Sequence, residues 1–299
     1  MGIGRKIVTP ASCCGLLLAL GLAPAVAQDP AYRLQLSETV GQTSRYRLAF
    51  DISMRAEISG QGEPDERTKT LIETLASGME MRTAVEFEQR LAEVGADGAR
   101  VFNVRWHDYH FSGKLGDEEI PPPPGYLDSM RDLLSQTARV WVTPSGRTLD
   151  VTYSHPRLSG LTSGLDRGGM PTYLPEEPVV VGDSWSSTAE IPLGMGAGGS
   201  LSLKLDHTLR EVRADPDGPV AVIELTGSYS QLQGFEESGF GVPMHVQASL
   251  TGSSLFDIDR GRFVGGRYEI DMFALHAAEG VEIELTGHAN GGLELVNAR

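Results

Sequence analysis

Along most of the chain, apolar and polar side chains alternate one by one. Tyr46-Arg47-Leu48-Ala49-Phe50-Asp51-Ile52 does so, as do Val85-Glu86-Phe87-Glu88 and Leu201-Ser202-Leu203-Lys204-Leu205, and the pattern returns over 263–272 and 281–285. Successive side chains of a strand point to opposite faces, so this period predicts strands with one buried and one wet face. Between the runs stand Ala96-Asp97-Gly98, Pro144-Ser145-Gly146, Asp215-Pro216-Asp217-Gly218 and Asp259-Arg260-Gly261. These residues accept the dihedrals of tight turns. The expected fold is mainly β, with two related, curved antiparallel sheets.

One helix breaks the pattern. After the Pro121–Pro124 run, Leu127, Met130, Leu133 and Leu134 recur at a helical spacing. This predicts a covering helix near 127–138. A second, shorter helical reading falls on 66–77, with Ile72 and Leu75 on one side.

The two halves of the chain echo each other. Gly41-Gln42-Thr43-Ser44 is answered by Gly182-Asp183-Ser184-Trp185, and the stretch around Leu91 by the stretch around Leu209. Gly98 is answered by Gly218. Val140-Trp141-Val142 with Gly146 is answered by Leu255-Phe256-Asp257 with Gly261. The order is kept and the offset drifts mainly between Gly41 and Leu91, which places an insertion at 60–77. The expected organisation is a first β-rich half over 28–153, a Gly- and Pro-rich linker or covering loop over 154–178, and a second half over 179–299.

The first residues read as a leader. Arg5 and Lys6 precede an apolar run from Leu16 to Leu22; Pro24 ends that run, and Ala25-Val26-Ala27 is a small-x-small cleavage pattern before Gln28. Residues 1–27 are expected to be a signal peptide, giving an exported periplasmic or extracellular protein. Both cysteines, Cys13 and Cys14, lie inside that leader. No apolar stretch is long enough for a membrane-spanning helix.

Pro175, Val179, Gly182, Asp183 and Trp185 spell P-x-x-x-V-x-x-G-D-x-W. The stretch resembles one in an exported bacterial family of unknown function, where the motif lies between two β-rich halves. The resemblance implies fold and address, and brings no activity with it.

The formal charge of −15 is spread along the chain. Such a surface repels phosphate backbones and anionic lipid head groups, which disfavours nucleic-acid partners. The candidate chemistry is sparse. Gly194-Met195-Gly196-Ala197-Gly198-Gly199 has the spacing of a phosphate loop, but an alternating strand pattern follows where a helix is needed. His107 and His110 are an odd number of residues apart and would project to opposite faces of an unbulged strand. Asp215-x-Asp217-Gly218 and Asp257-x-Asp259-x-Gly261 lack the remaining ligands of a calcium loop. No nucleophile elbow occurs, so no catalytic residue, metal ligand or cofactor is assigned.

Trp106, Trp141 and Trp185 are the candidate ligand-stacking residues, set against a plain core role for each. The expectation is a non-enzymatic cell-envelope module that binds or carries a small apolar or amphipathic ligand. The alternatives are a structural or assembly module binding other envelope proteins, and an enzyme with a dispersed site.

Overall fold

A computed structural model describes residues 30–60, 62, 69, 73, 75–122, 128, 131–132, 134–154, 173–192, 200–233, 244–278 and 281–298. The alternating runs form strands as their period requires. They are β1 (Thr43–Gly60), β2 (Met79–Val94), β3 (Arg100–Leu115), β4 (Glu118–Ile120), β5 (Thr137–Val142), β6 (Thr148–Tyr153), β7 (Ser184–Pro192), β8 (Ser200–Asp215), β9 (Gly218–Gln233), β10 (Met244–Asp257), β11 (Arg262–Ala278) and β12 (Val281–Ala298).

All twelve belong to one antiparallel sheet, where two sheets were expected. Its order is β6-β5-β3-β2-β1-β12-β11-β10-β9-β8-β7, with β4 beside β3. The chain meanders outward from β1 at the centre to β6 at one edge. It resumes at the opposite edge with β7 and meanders back to β12. The two halves merge because β1 and β12 pair along nearly their whole length, from Ser44↔Ala298 to Gly60↔Val281. Unjoined, each would present a long row of unpaired backbone donors and acceptors.

The sheet curls at one end. Leu36 N–H donates to Pro144 O, in the β5–β6 turn, at 2.8 Å, and the next residue, Ser37, donates to Gly261 O, before β11, at 3.0 Å. In a flat sheet β5 and β11 would stand five spacings apart, roughly 24 Å at about 4.8 Å each. Two adjacent amides can reach both only if the strands bend around them. The apolar side chains of this strap, Leu34 and Leu36, join Leu174 and Val179 in a core with Leu48, Val85, Leu91, Trp106, Leu209, Ile223 and Phe256. A second cluster, with Leu203, Leu205, Leu225, Leu250, Ala274 and Leu285, lies further down the strands.

Corresponding strands of the two halves carry corresponding irregularities. The β2–β3 register slips between Leu91 and Glu93, and the β8–β9 register between Leu209 and Glu211. The β5–β6 slip at Trp141/Val142 has its counterpart in β10–β11 at Leu255/Phe256. This places Val142 opposite Phe256, one residue away from the match read in the sequence. A bulge shifts every later side chain to the other face, so a match made on these slips pairs the buried Val142 with the buried Phe256.

Of the expected 127–138 helix, Asp128, Arg131, Asp132 and Leu134 have helical backbone, whereas 137–138 already belong to β5. Leu127, Met130 and Leu133 lie outside the described residues. So does most of 60–77, where Leu75 is helical and buried in the second cluster.

Candidate functional site

Registers across the sheet define rows of side chains on its core face. One row runs Phe111–Thr83–Phe50–Gly291–Tyr268–Gly252–Leu225–His207–Trp185. The next contains Gly113, Met81, Ile52, Ala289, Ile270, Leu250, Gly227, Leu205 and Ser187. A third contains Leu115, Met79, Met54, Gly287, Met272, Ala248 and Tyr229. None of the three rows holds an Asp, Glu, Lys or Arg. The alternate positions carry the charge: Arg82 is ion-paired to Asp51, and His288 lies 2.8 Å from Asp271.

At the centre of the sheet the apolar rows are only half-buried. Phe50, Ile52, Met54, Met79, Met81, Ile270 and Met272 all retain partial exposure, and Ile58 beyond them is 47% exposed. Four methionines thus share one patch on β2, β1 and β11. Gly287 on β12 leaves space between two of them: a Cβ there would meet Met272 Cε at 3.2 Å and Met54 Cγ at 3.6 Å. Methionine is unbranched, flexible and polarisable, and it fits surfaces that must adapt to varied apolar shapes. An open concavity of about 470 Å³ is lined by Met54, Met79, Met272 and Gly287 and equally by Ser53, Arg55, Glu80, Asp271 and His288, the charged and polar residues that alternate with them along the strands.

The three tryptophans do not converge on this patch. Trp106 is 2% exposed and belongs to the core under the strap. Trp141 alternates with the buried Val140 and Val142, and Arg139 stacks over its ring at 5.1 Å. Trp185 is partly buried on the edge strand β7. Its indole N–H donates to Tyr173 O at 2.7 Å, and its ring stacks on His207 at 5.5 Å and 16°. The rest of the P-x-x-x-V-x-x-G-D-x-W stretch builds the turn that delivers Trp185. Val179 exchanges backbone hydrogen bonds with Tyr32, Gly182 is left-handed (φ 97°), and Asp183 Oδ2 accepts from Val180 N–H at 2.9 Å.

His207 is the one titratable side chain in the three apolar rows apart from the Tyr268 and Tyr229 phenols. It is fully buried between Leu205 and Leu209, and its Nε2 lies 2.7 Å from Ser187 Oγ. Burial pushes the imidazole down to about 4, so it is neutral at ordinary pH. Nδ1 has no hydrogen-bond partner among the described residues. The adjacent Asp206 points to the other face, where it accepts from Ser186 Oγ at 2.6 Å. A Ser–His pair with no carboxylate on Nδ1 and so weakly basic a ring is poorly equipped to activate the hydroxyl.

A second buried polar group lies under the strap. Glu38, 6% exposed, accepts from Ser44 Oγ at 3.1 Å, and Arg262 Nη1 lies 3.4 Å from the same hydroxyl. Burial pushes the carboxyl up to about 7, against the opposing pull of Ser44, Arg262 and Arg100. Sequence reasoning singled out neither Glu38 nor His207. The signal for His207 was a polar residue in the buried phase of the Leu203, Leu205, Leu209 alternation.

β3 does carry a bulge, contrary to the regular strand assumed for His107 and His110. Glu86 pairs with Asp108 and Phe87 with Trp106, which leaves His107 unpaired and 3.7 Å from Glu88. Asp215 and Asp257 act as turn caps, accepting from Asp217 N–H at 3.2 Å and Arg260 N–H at 2.9 Å. The Gly194–Gly199 loop lies outside the described residues.

No protein-family model matches the chain, and no curated protein matches it. Among solved structures, lipovitellin, in a structure concerned with its lipid–protein interactions, aligns over 88% of this chain with a TM-score of 0.51 and 11% identity. The likeness is one of fold. The chain spans 26% of the length of that protein. An enduracididine biosynthesis enzyme aligns over 97% of the chain with a TM-score of 0.09 and 10% identity, which carries no argument.

Proposed function

We propose that the protein is a non-enzymatic binding or carrier module that holds the acyl part of an apolar or amphipathic ligand against the core face of its sheet. The observation that carries this reading is three adjacent side-chain rows without a formal charge, half-buried where Ile52, Met54, Met79, Met81 and Met272 meet. A bound chain of ten methylenes would gain on the order of 8 kcal/mol by leaving water. Association and ordering cost several kcal/mol of that. The fold shared with a protein whose structure concerns lipid–protein interactions supports the same class of ligand.

Three further elements belong to this proposal. The protein is exported after cleavage before Gln28, and it falls within the exported bacterial family that its P-x-x-x-V-x-x-G-D-x-W stretch resembles. The halves are diverged copies of one unit, which accounts for their matched bulges. The helix that includes Leu134 covers part of the first half, where Leu134 packs against the core. Assembly with another envelope protein is the second reading, and the sheet edges β6 and β7 are its candidate surfaces.

Native mass spectrometry of protein purified from its own cell envelope tests the main reading. A copurifying small amphiphile is the expected result, and a polypeptide partner with no small molecule would favour assembly. Intact mass on the same sample checks the Gln28 start.

A further inference from the structure

The methionine side chains that the structure describes all lie in one place. The buried core is built from Leu, Val, Ile, Ala, Phe, Tyr and Trp, with no methionine among its described members. Met54, Met79, Met81 and Met272 instead share the half-buried patch, each partly exposed. Met54 faces Met79 across the β1–β2 pair, and Met81 faces Ile52 in the next row. Met54 and Met272 are both partners of Gly287, where a Cβ would touch both side chains. An adaptable apolar surface is one consequence of this composition. The other is chemical: these are sulfurs that a small oxidant can reach. No cysteine occurs among the described residues, so no thiol competes there for the oxidant.

We infer that these four methionines are a reversible oxidation site, at which a hydroperoxide turns the patch polar and so releases its apolar ligand. The inference rests on the proposed apolar-ligand function and adds its regulation. In the forward step a sulfur lone pair attacks the outer peroxide oxygen. The S–O bond forms as the O–O bond breaks, and the leaving oxygen departs as water from hydrogen peroxide or as an alcohol from an organic peroxide. The sulfur is oxidised by two electrons and the peroxide is reduced by two. In the reverse step a dithiol supplies two electrons and two protons; the sulfoxide oxygen leaves as water and the dithiol becomes a disulfide. A sulfoxide is a polar acceptor that must be desolvated under a bound acyl chain, beside Ile52 and Ile270, which offer it no donor. With the ligand gone it faces water, because all four side chains are partly exposed, so the strands carry it without unfolding.

The test is oxidation of the full chain with graded hydrogen peroxide, followed by peptide mass mapping, circular dichroism and titration with the apolar reporter phenylnaphthylamine. Each of the four methionines should gain one oxygen, about 16 Da, and affinity for the reporter should fall at least about tenfold while the sheet signal is kept. Methionine sulfoxide reductases A and B with dithiothreitol should restore it, both being needed because the sulfoxide sulfur is chiral. Whatever its own affinity, the quadruple variant Met54→Leu, Met79→Leu, Met81→Leu, Met272→Leu should lose less than about twofold to the same peroxide. A second measurement needs no variant: saturating reporter should slow oxidation of these four methionines in the wild type at least about threefold and leave the others unaffected. Undiminished affinity once the four are oxidised, a loss that the reductases do not reverse, or an equal loss in the leucine variant would each overturn the inference while the apolar-ligand reading stood. So would patch methionines that stay unoxidised at a dose that oxidises free methionine. Failure of the untreated wild type to bind the reporter, or binding that leaves the four unprotected, would overturn both.

Discussion

Leu91 and Leu209 hold the same position in two different hairpins. Leu91 O accepts from Gly41 N–H at 2.8 Å and its own N–H donates to Gln42 O at 3.1 Å; Leu209 does the same with Gly182 at 2.8 Å and Asp183 at 3.0 Å. Gly41 and Gly182 are both left-handed, with φ of 90° and 97°. Each leucine precedes a bulge, and each is buried in the core under the strap.

Equivalent places predict equivalent costs. Leu91→Ala and Leu209→Ala should each lose about 2–5 kcal/mol, the range for a fully buried leucine that leaves a cavity. Urea unfolding measures both. A loss below about 1 kcal/mol at either site would show that the two hairpins are not packed alike.

Two glycines separate backbone strain from collision. Gly146 and Gly261 both have positive φ, 87° and 58°. A Cβ at Gly146 would meet nothing within 4 Å, whereas at Gly261 it would run into Ser37 N and Oγ. Gly146→Ala should therefore cost about 1–2 kcal/mol, from the left-handed backbone alone. Gly261→Ala should cost distinctly more and free the strap, seen as faster hydrogen exchange at Leu36 and Ser37. Equal costs would mean that the strap contact is not holding the curl.

Glu38 and His207, both buried, act in opposite directions on stability. Glu38 holds its proton more tightly when folded, at about 7 against an ordinary 4.5, so ionising it costs stability progressively as pH rises from about 4.5 to 7. His207 releases its proton when folded, at about 4 against 6.5, so stability is lost as pH falls from about 6.5 to 4. Between 4.5 and 6.5 the two slopes oppose each other, and each complete effect is on the order of 3 kcal/mol. Glu38→Gln should make stability rise with pH across that window, and His207→Leu should make it fall. Melting temperatures at half-unit steps of pH decide this, and parallel profiles for the two variants would contradict it.

The strands were legible because alternation is a local property: Val85 and Phe87 are buried while Glu86 and Glu88 on the other face stay partly exposed, as their period requires. The anchors Leu91 and Leu209 were legible for the same reason. Trp141 was not, because Val140-Trp141-Val142 is apolar throughout and its phase emerges only from the fold. The methionine patch was invisible for a different reason. Met54 and Met272 become neighbours only because Gly287 pairs with both, and the β1–β12 pairing joins opposite ends of the chain. One sheet or two was therefore not a question that local periodicity could answer.

Under the proposed function the apolar patch is a ligand-binding surface rather than an incompletely covered core. The most direct measurement is a titration of phenylnaphthylamine fluorescence into wild-type protein and into the double variant Met54→Glu, Met272→Glu, with circular dichroism to establish that both keep the sheet. Both side chains are half-exposed, so the carboxylates can reach water without unfolding the strands, while an acyl chain would meet two charges beside Gly287. The expected result is saturable binding to the wild type, weakened at least about a hundredfold in the folded double variant. Undiminished binding by that variant, or none by the wild type, would contradict the account.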